Sequence, residues 1–161
     1  MTLEQYNYSV NFYADGLYRF MLKFSDKETA KDIVQDCFEK LWLKRESVEG
    51  TKTKSYLFTA AYNTMIDKKR KNKRLDIIET VPTHYSTVQA VNPDLQEILH
   101  NALSILPDIQ KTVVILRDYE GYNYEEIGEI TGLSASQVKV YIFRARVNLK
   151  NQIGSIANVL G

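Results

Sequence analysis

The chain has 161 residues, of which 21 are Lys or Arg and 20 are Asp or Glu, for a formal net charge of +1. Hydrophobic residues make up 44% and charged residues 25%, a globular balance that excludes disorder along the whole chain. The longest strongly apolar run, Val113 to Leu116, is far short of the ~20 residues a membrane span needs. The single cysteine, Cys37, excludes an intrachain disulfide and a cysteine-based zinc site. The first residues, polar and aromatic, lack the pattern of a signal peptide, so the expected location is the cytoplasm, with no insertion into the membrane.

The hydrophobic periodicity is helical throughout, and no stretch alternates apolar and polar residues for long. A first helix is predicted over residues 3–24. Its aromatic stripe, Tyr6, Phe12, Tyr13, Tyr18, Phe20 and Phe24, is read as core packing. A second is predicted over 25–44, opened by a capping box between Ser25 and Glu28. Ala30, Ile33, Val34, Cys37, Phe38, Leu41 and Trp42 share one face of it, which makes Cys37 a small buried hydrophobe. Asp32, Gln35, Asp36 and Glu39 share the other.

Residues 49–54 read as a loop, and a third helix is predicted over 55–74. Its first half is apolar on one side, through Leu57, Phe58, Ala61, Met65 and Ile66. Its second half carries six positive charges in seven residues, Lys68, Lys69, Arg70, Lys71, Lys73 and Arg74. Such a run is a solvated helix end, a localisation tract or a nucleic-acid contact. Tyr62, Asn63 and Tyr56 on the same helix favour the last, because single-stranded bases stack on rings beside a cationic groove.

Residues 75–92 break the pattern and read as a flexible linker. Asn92-Pro93 restarts a helix, with Asn as cap and Pro at the first helical position, and Leu106-Pro107-Asp108 restarts another. The expected architecture is all-α: two small helical domains, 1–74 and 93–161, joined by the linker.

The second domain ends in the sharpest signal. Asn123 with Glu126, and Ser134 with Gln137, are capping boxes on either side of Gly132-Leu133. Two helices joined by such a turn fit a helix-turn-helix, whose second helix, here 134–150, enters the DNA major groove. Val138, Tyr141, Ile142, Ala145 and Leu149 form its inward face. Ser136, Lys139, Val140, Phe143, Arg144 and Val147 form the outward face, with Arg146 and Lys150 on a flank. Apolar groups there suit the thymine methyl, and Arg144 and Lys139 suit guanine. The backbone N–H groups of Ala135 and Ser136 suit a phosphate. The other reading is a helical hairpin that buries Val140 and Phe143 against a protein. On the DNA reading, Glu125, Glu126 and Glu129 on the preceding helix must face away from any phosphate. His84 and His100 stand apart from any cysteine or carboxylate pair, so neither catalysis nor a cofactor or metal is expected.

Taken together these motifs resemble the sigma-70 family of bacterial RNA polymerase sigma factors, in its extracytoplasmic function branch. Asp32-Ile33-Val34-Gln35-Asp36, with Phe38, Leu41 and Trp42, is similar to the segment that docks on the polymerase. Ala61, Asn63, Asp67 and Arg70 resemble the next helix, which handles the −10 element. Leu106-Pro107, Gln110, Leu116-Arg117, Glu120-Gly121, Tyr124, Glu126-Ile127, Gly132, Ser134, Val138-Lys139 and Arg144-Ala145-Arg146 resemble the domain that reads the −35 element.

The resemblance implies that Asp32, Gln35, Asp36 and Glu39 meet the clamp helices of the largest subunit of core RNA polymerase. It implies that Tyr62, Asn63, Lys68, Lys69, Arg70, Lys71, Lys73 and Arg74 face −10 promoter DNA. Ser134, Ala135, Ser136, Gln137, Lys139, Val140, Phe143, Arg144 and Arg146 would face −35 DNA. It further implies an anti-sigma partner, a monomer when free, and no enzymatic activity of its own. The readings set beside it are a stand-alone helix-turn-helix regulator and a helical interaction adaptor. The chain departs from the family pattern at Lys31, in the loop Gly50 to Lys54, at Ala135-Ser136-Gln137 and at Val140-Tyr141.

Overall fold

The computed structural model describes residues 1–76 and 95–160, with side chains to residue 72 and from 95 to 154. Every regular element among them is helical. Helices α1 (Leu3–Leu22), α2 (Lys27–Leu43) and α3 (Thr53–Asp76) form one compact unit. Helices α4 (Leu95–Ile105), α5 (Asp108–Val114), α7 (Ala135–Leu160) and α6 (Tyr124–Thr131) as far as Gly128 belong to a second. The linker expected over 75–92 and the cap expected at Asn92-Pro93 lie, from residue 77 on, outside the described residues.

Helix α1 starts at a capping box that runs reciprocally between Thr2 and Gln5. The expectation that all its aromatics are core is corrected. Phe20 is fully buried, against Phe58 at 5.3 Å and Phe24 at 5.4 Å. Tyr6 donates its hydroxyl to the Phe38 carbonyl at 3.0 Å and meets Trp42 edge-on. Phe12, however, is exposed and stacks on exposed Tyr8, with ring centroids 5.5 Å apart. At about 100° per residue these two rings fall on the side opposite Leu17, the centre of the buried face.

The cap of α2 is Asp26, not Ser25. The Asp26 carboxylate accepts from the Thr29 N–H at 2.7 Å, and that bond holds its carboxyl below the ordinary carboxylate range. Ser25 instead closes α1, donating both its N–H and its hydroxyl to the Met21 carbonyl. Ala30, Ile33, Cys37, Phe38 and Leu41 of α2 are buried, while Val34 and Trp42 are half-buried.

Burial pushes the Cys37 thiol up to about 12, which leaves about one part in ten thousand as thiolate at pH 8. Thiol-specific chromogenic reagents at pH 8 are therefore expected to leave the native chain unlabelled and to label it once unfolded. Fast labelling of the native chain would show that α2 opens readily.

A 3₁₀ turn, Gly50–Lys52, occupies the expected loop and lets α3 begin at Thr53. Leu57, Phe58, Ala61 and Met65 close the core of this unit.

In the second unit the apolar run Val113 to Leu116 is fully buried, and α4 and α5 pack on α7. Helix α5 passes directly into a π-helical turn, Ile115–Tyr119, closed by the Glu120 N–H donating to the Ile115 carbonyl at 3.1 Å. Val138, Ile142 and Ala145 are the buried residues of α7 among those described. Helix α7 runs ten residues beyond the expected end at 150, since no proline or cap intervenes.

Candidate nucleic-acid interface

Both capping boxes of the helix-turn-helix are formed. The Asn123 side chain accepts from the Glu126 N–H at 2.8 Å, and the Glu126 carboxylate accepts from the Asn123 N–H at 3.2 Å. Glu126 is thereby turned onto its own helix start, where an anion is favourable. Glu125 and Glu129 are exposed.

Gly132 ends α6 in the left-handed region, φ 78°, and donates its N–H to the Gly128 carbonyl. Gly128 allows the turn to fold back tightly. A Cβ there would stand 2.6 Å from the Leu133 carbonyl oxygen. At the next helix start, Ser134 Oγ accepts from the Gln137 N–H at 3.2 Å, and Gln137 Oε1 accepts from the Ser134 N–H at 2.9 Å. These two sequence-predicted contact residues thus serve the cap first, and Gln137 keeps its amide NH2 for a ligand.

The two faces of α7 separate cleanly. Val138, Ile142 and Ala145 are buried, and Tyr141 and Leu149 are half-buried. Ser134, Ala135, Ser136, Gln137, Lys139, Val140, Phe143, Arg144 and Arg146 are all exposed. Phe143 is 68% exposed, with Val140 and Val147, also exposed, beside it on the same face. The Arg144 guanidinium stands 6.0 Å from the Tyr141 ring.

Two ties that the sequence did not suggest hold α7 in place. Asn148 donates to Gln110 of α5 at 2.8 Å. Arg146 makes a two-point pair with Asp118 of the π-helical turn, at 2.6 and 3.2 Å. Hydrogen bonding to that carboxylate raises Arg146 above its ordinary value. Partners 28 or 38 residues apart leave no local spacing to read.

In the first unit Asp32, Gln35, Asp36 and Glu39 are all exposed, and helical spacing puts them on one edge of α2. On α3, Asn63 and Arg70 are exposed on the same face as Tyr56. A shallow cleft of about 230 Å³ runs along that face, lined by Lys40, Tyr56, Thr59, Asn63, Thr64 and Asp67. Tyr62 is half-buried and lies about 100° round the helix from Asn63. Lys68, Lys69, Arg70 and Lys71 do not gather into one patch, because consecutive residues wind round the helix. Lys68 and Lys69 are half-buried, with the Lys69 ammonium 5.3 Å from the Phe24 ring, whereas Arg70 and Lys71 are exposed. Lys73 and Arg74 continue α3.

These features define a helical protein of two units, the second of which presents a helix-turn-helix. Residues 10–75 match the family model of sigma-70 region 2, and residues 96–149 match that of sigma-70 region 4. The ECF RNA polymerase sigma factor SigM of Bacillus subtilis (strain 168) is 31% identical over 144 residues, covering 86% of this chain and 88% of that one. The RNA polymerase sigma factor SigV of the same bacterium is 32% identical, covering 83% of each chain.

Among solved structures, the sigma factor RpoE in complex with the anti-sigma factor NepR from Bartonella quintana superposes with a TM-score of 0.79. It is 26% identical and covers 94% of this chain and 98% of that one. CnrH in complex with the cytosolic domain of CnrY, 21% identical with a TM-score of 0.69, shares the fold. The chain belongs to the sigma-70 family, in the extracytoplasmic function branch: it binds core RNA polymerase and directs promoter recognition and transcription initiation.

Proposed function

We propose that the chain divides this work between residues 1–74, a region 2-like domain, and residues 93–161, a region 4-like domain, with 75–92 as the linker. Asp32, Gln35, Asp36 and Glu39 dock on the clamp helices of the largest polymerase subunit. An acidic edge suits a basic protein partner and would be repelled by DNA. Tyr62, Asn63, Lys68, Lys69, Arg70, Lys71, Lys73 and Arg74 serve the −10 region, with Asn63 and Arg70 best placed because they share the exposed face of α3. Ser134, Ala135, Ser136, Gln137, Lys139, Val140, Phe143, Arg144 and Arg146 serve the −35 duplex. An anti-sigma protein holds the free chain inactive, a reading supported by the likeness to a sigma factor solved with its anti-sigma factor. The chain works in the cytoplasm and is a monomer when free; no helix among the described residues is long and apolar enough to cross a membrane. The chain carries out no catalytic step itself; the polymerase makes the bonds.

One observation carries the −35 assignment. The outward face of α7 leaves Phe143, Val140 and Val147 in water beside Lys139 and Arg144. That mixture matches a major groove, which offers thymine methyls and guanine acceptors together. Run-off transcription tests it, with core polymerase from the same bacterium and a promoter fragment selected from randomised duplexes by the wild-type holoenzyme. Arg144→Ala is expected to lower specific transcript by about 5- to 100-fold, the worth of one bidentate base contact. Undiminished transcript would remove Arg144 from the reading face.

A further inference from the structure

We infer that Asp118 is a positioning residue for the −35 contact: it grips one edge of the Arg146 guanidinium and presents the rest of the fork to a DNA phosphate. The inference rests on the reading of α7 as the −35 helix.

Lys139, Phe143, Arg146 and Lys150 follow one another at spacings of four, three and four, so they form a single row along α7. All four are exposed. Arg146 is the member of that row held in a fixed plane. Its Nε donates to Asp118 Oδ2 at 3.2 Å and its Nη2 to Oδ1 at 2.6 Å. A guanidinium has five N–H donors, and the carboxylate takes two, which leaves three for a second anion. The planar fork that fits a carboxylate fits a phosphate equally well. The pair is about half exposed, 50% at Arg146 and 40% at Asp118, so the free donors are within reach of solvent and of DNA.

Asp118 reaches Arg146 from the π-helical turn, whose extra residue shifts the side chains out of ordinary helical phase. Its neighbour works in the other direction. Arg117 donates to the Tyr122 carbonyl at 2.9 Å and lies 5.1 Å from the Tyr124 ring at the start of α6. Two consecutive side chains thus tie one turn to the first helix of the motif and to the second.

Simple electrostatics expects the opposite of a positioning role. A carboxylate beside a phosphate site repels DNA, so its removal should tighten binding. Positioning expects removal to loosen binding. The test uses the holoenzyme on the selected promoter fragment, with affinity measured across a salt series. Asp118→Ala is expected to weaken binding about tenfold, the scale of one charge-assisted hydrogen bond, and Asp118→Glu to keep most of it. Arg146→Ala is expected to weaken it similarly and to make the salt slope shallower by about 0.9, one phosphate's share. The double variant should bind no worse than Arg146→Ala alone.

Exchanging the two, Asp118→Arg with Arg146→Asp, should restore the melting temperature but not the affinity. Restored affinity would show a structural clamp only and overturn the inference, as would Asp118→Ala binding as tightly as wild type or tighter. Arg144→Ala is measured alongside. If it too leaves affinity unchanged, the reading of α7 itself has failed, and that outcome is distinct from a failure at Asp118 alone.

Discussion

Gly128→Ala is expected to destabilise the second unit by about 1–3 kcal/mol, the range for forcing a methyl into a packed site. The added Cβ would sit 2.6 Å from the Leu133 carbonyl oxygen, inside van der Waals contact. That oxygen is backbone, so relief requires the turn itself to move. Alanine's better helix propensity offsets about 1 kcal/mol at most. A unit of this size should lose about 5–20 °C in melting temperature, together with −35 recognition, because the turn sets the angle between α6 and α7.

Gly132→Ala supplies the comparison. Gly132 needs the left-handed conformation, φ 78°, but a Cβ there meets nothing within 4 Å. Its cost is then that of the backbone conformation alone, about 1–2 kcal/mol, with the turn left in place. Calorimetry on the two variants ranks them. A stable, promoter-reading Gly128→Ala protein would show that the turn has slack.

Asp36→Arg is expected to weaken assembly with core polymerase by about 2–4 kcal/mol, thirtyfold to a thousandfold, if the acidic edge of α2 is the docking edge. Asp36 stands between Asp32 and Glu39 on that edge and is exposed. Reversing its charge therefore places an Arg against a basic partner without disturbing the fold, where exposed substitutions cost within about 0.5 kcal/mol. Titration of labelled chain with core enzyme reads the loss, and circular dichroism checks the fold. The same substitution should leave binding of the second unit to −35 duplex untouched. Wild-type affinity for the core would move the docking surface off this edge.

The parts of the fold that were legible depend on residues a few positions apart. The capping boxes at Asn123 with Glu126 and Ser134 with Gln137 are local, and both are formed. The buried stripe of α7 follows from its period, as does the burial of Cys37. Where two local solutions compete, the pattern points to the wrong one. The spacing to Glu28 points to Ser25 as the cap of α2, but the cap falls to Asp26 because the end of α1 claims Ser25.

Composition misled where phase was ignored. Phe12 shares a helix with Phe20 but not a face. The run from Lys68 to Lys71 is dense in sequence and dispersed in space, since each step turns about 100°. The pair of Asp118 with Arg146 depends on a π-helical turn and on a partner 28 residues away, and neither writes a short-range signature. The resemblance to a family supplied roles for these surfaces, whereas the residue patterns supplied their placement.

The strip on α7 formed by Val140, Phe143 and Val147 has a consequence for control. Apolar side chains left in water gain free energy from whatever covers them, whether a DNA groove or a protein. Two occupants cannot share one helix face. A protein that covers the strip and a promoter that is read through it are therefore competitors by occupancy alone. On the proposed −35 reading, a protein that covers the strip switches the chain off by its concentration alone.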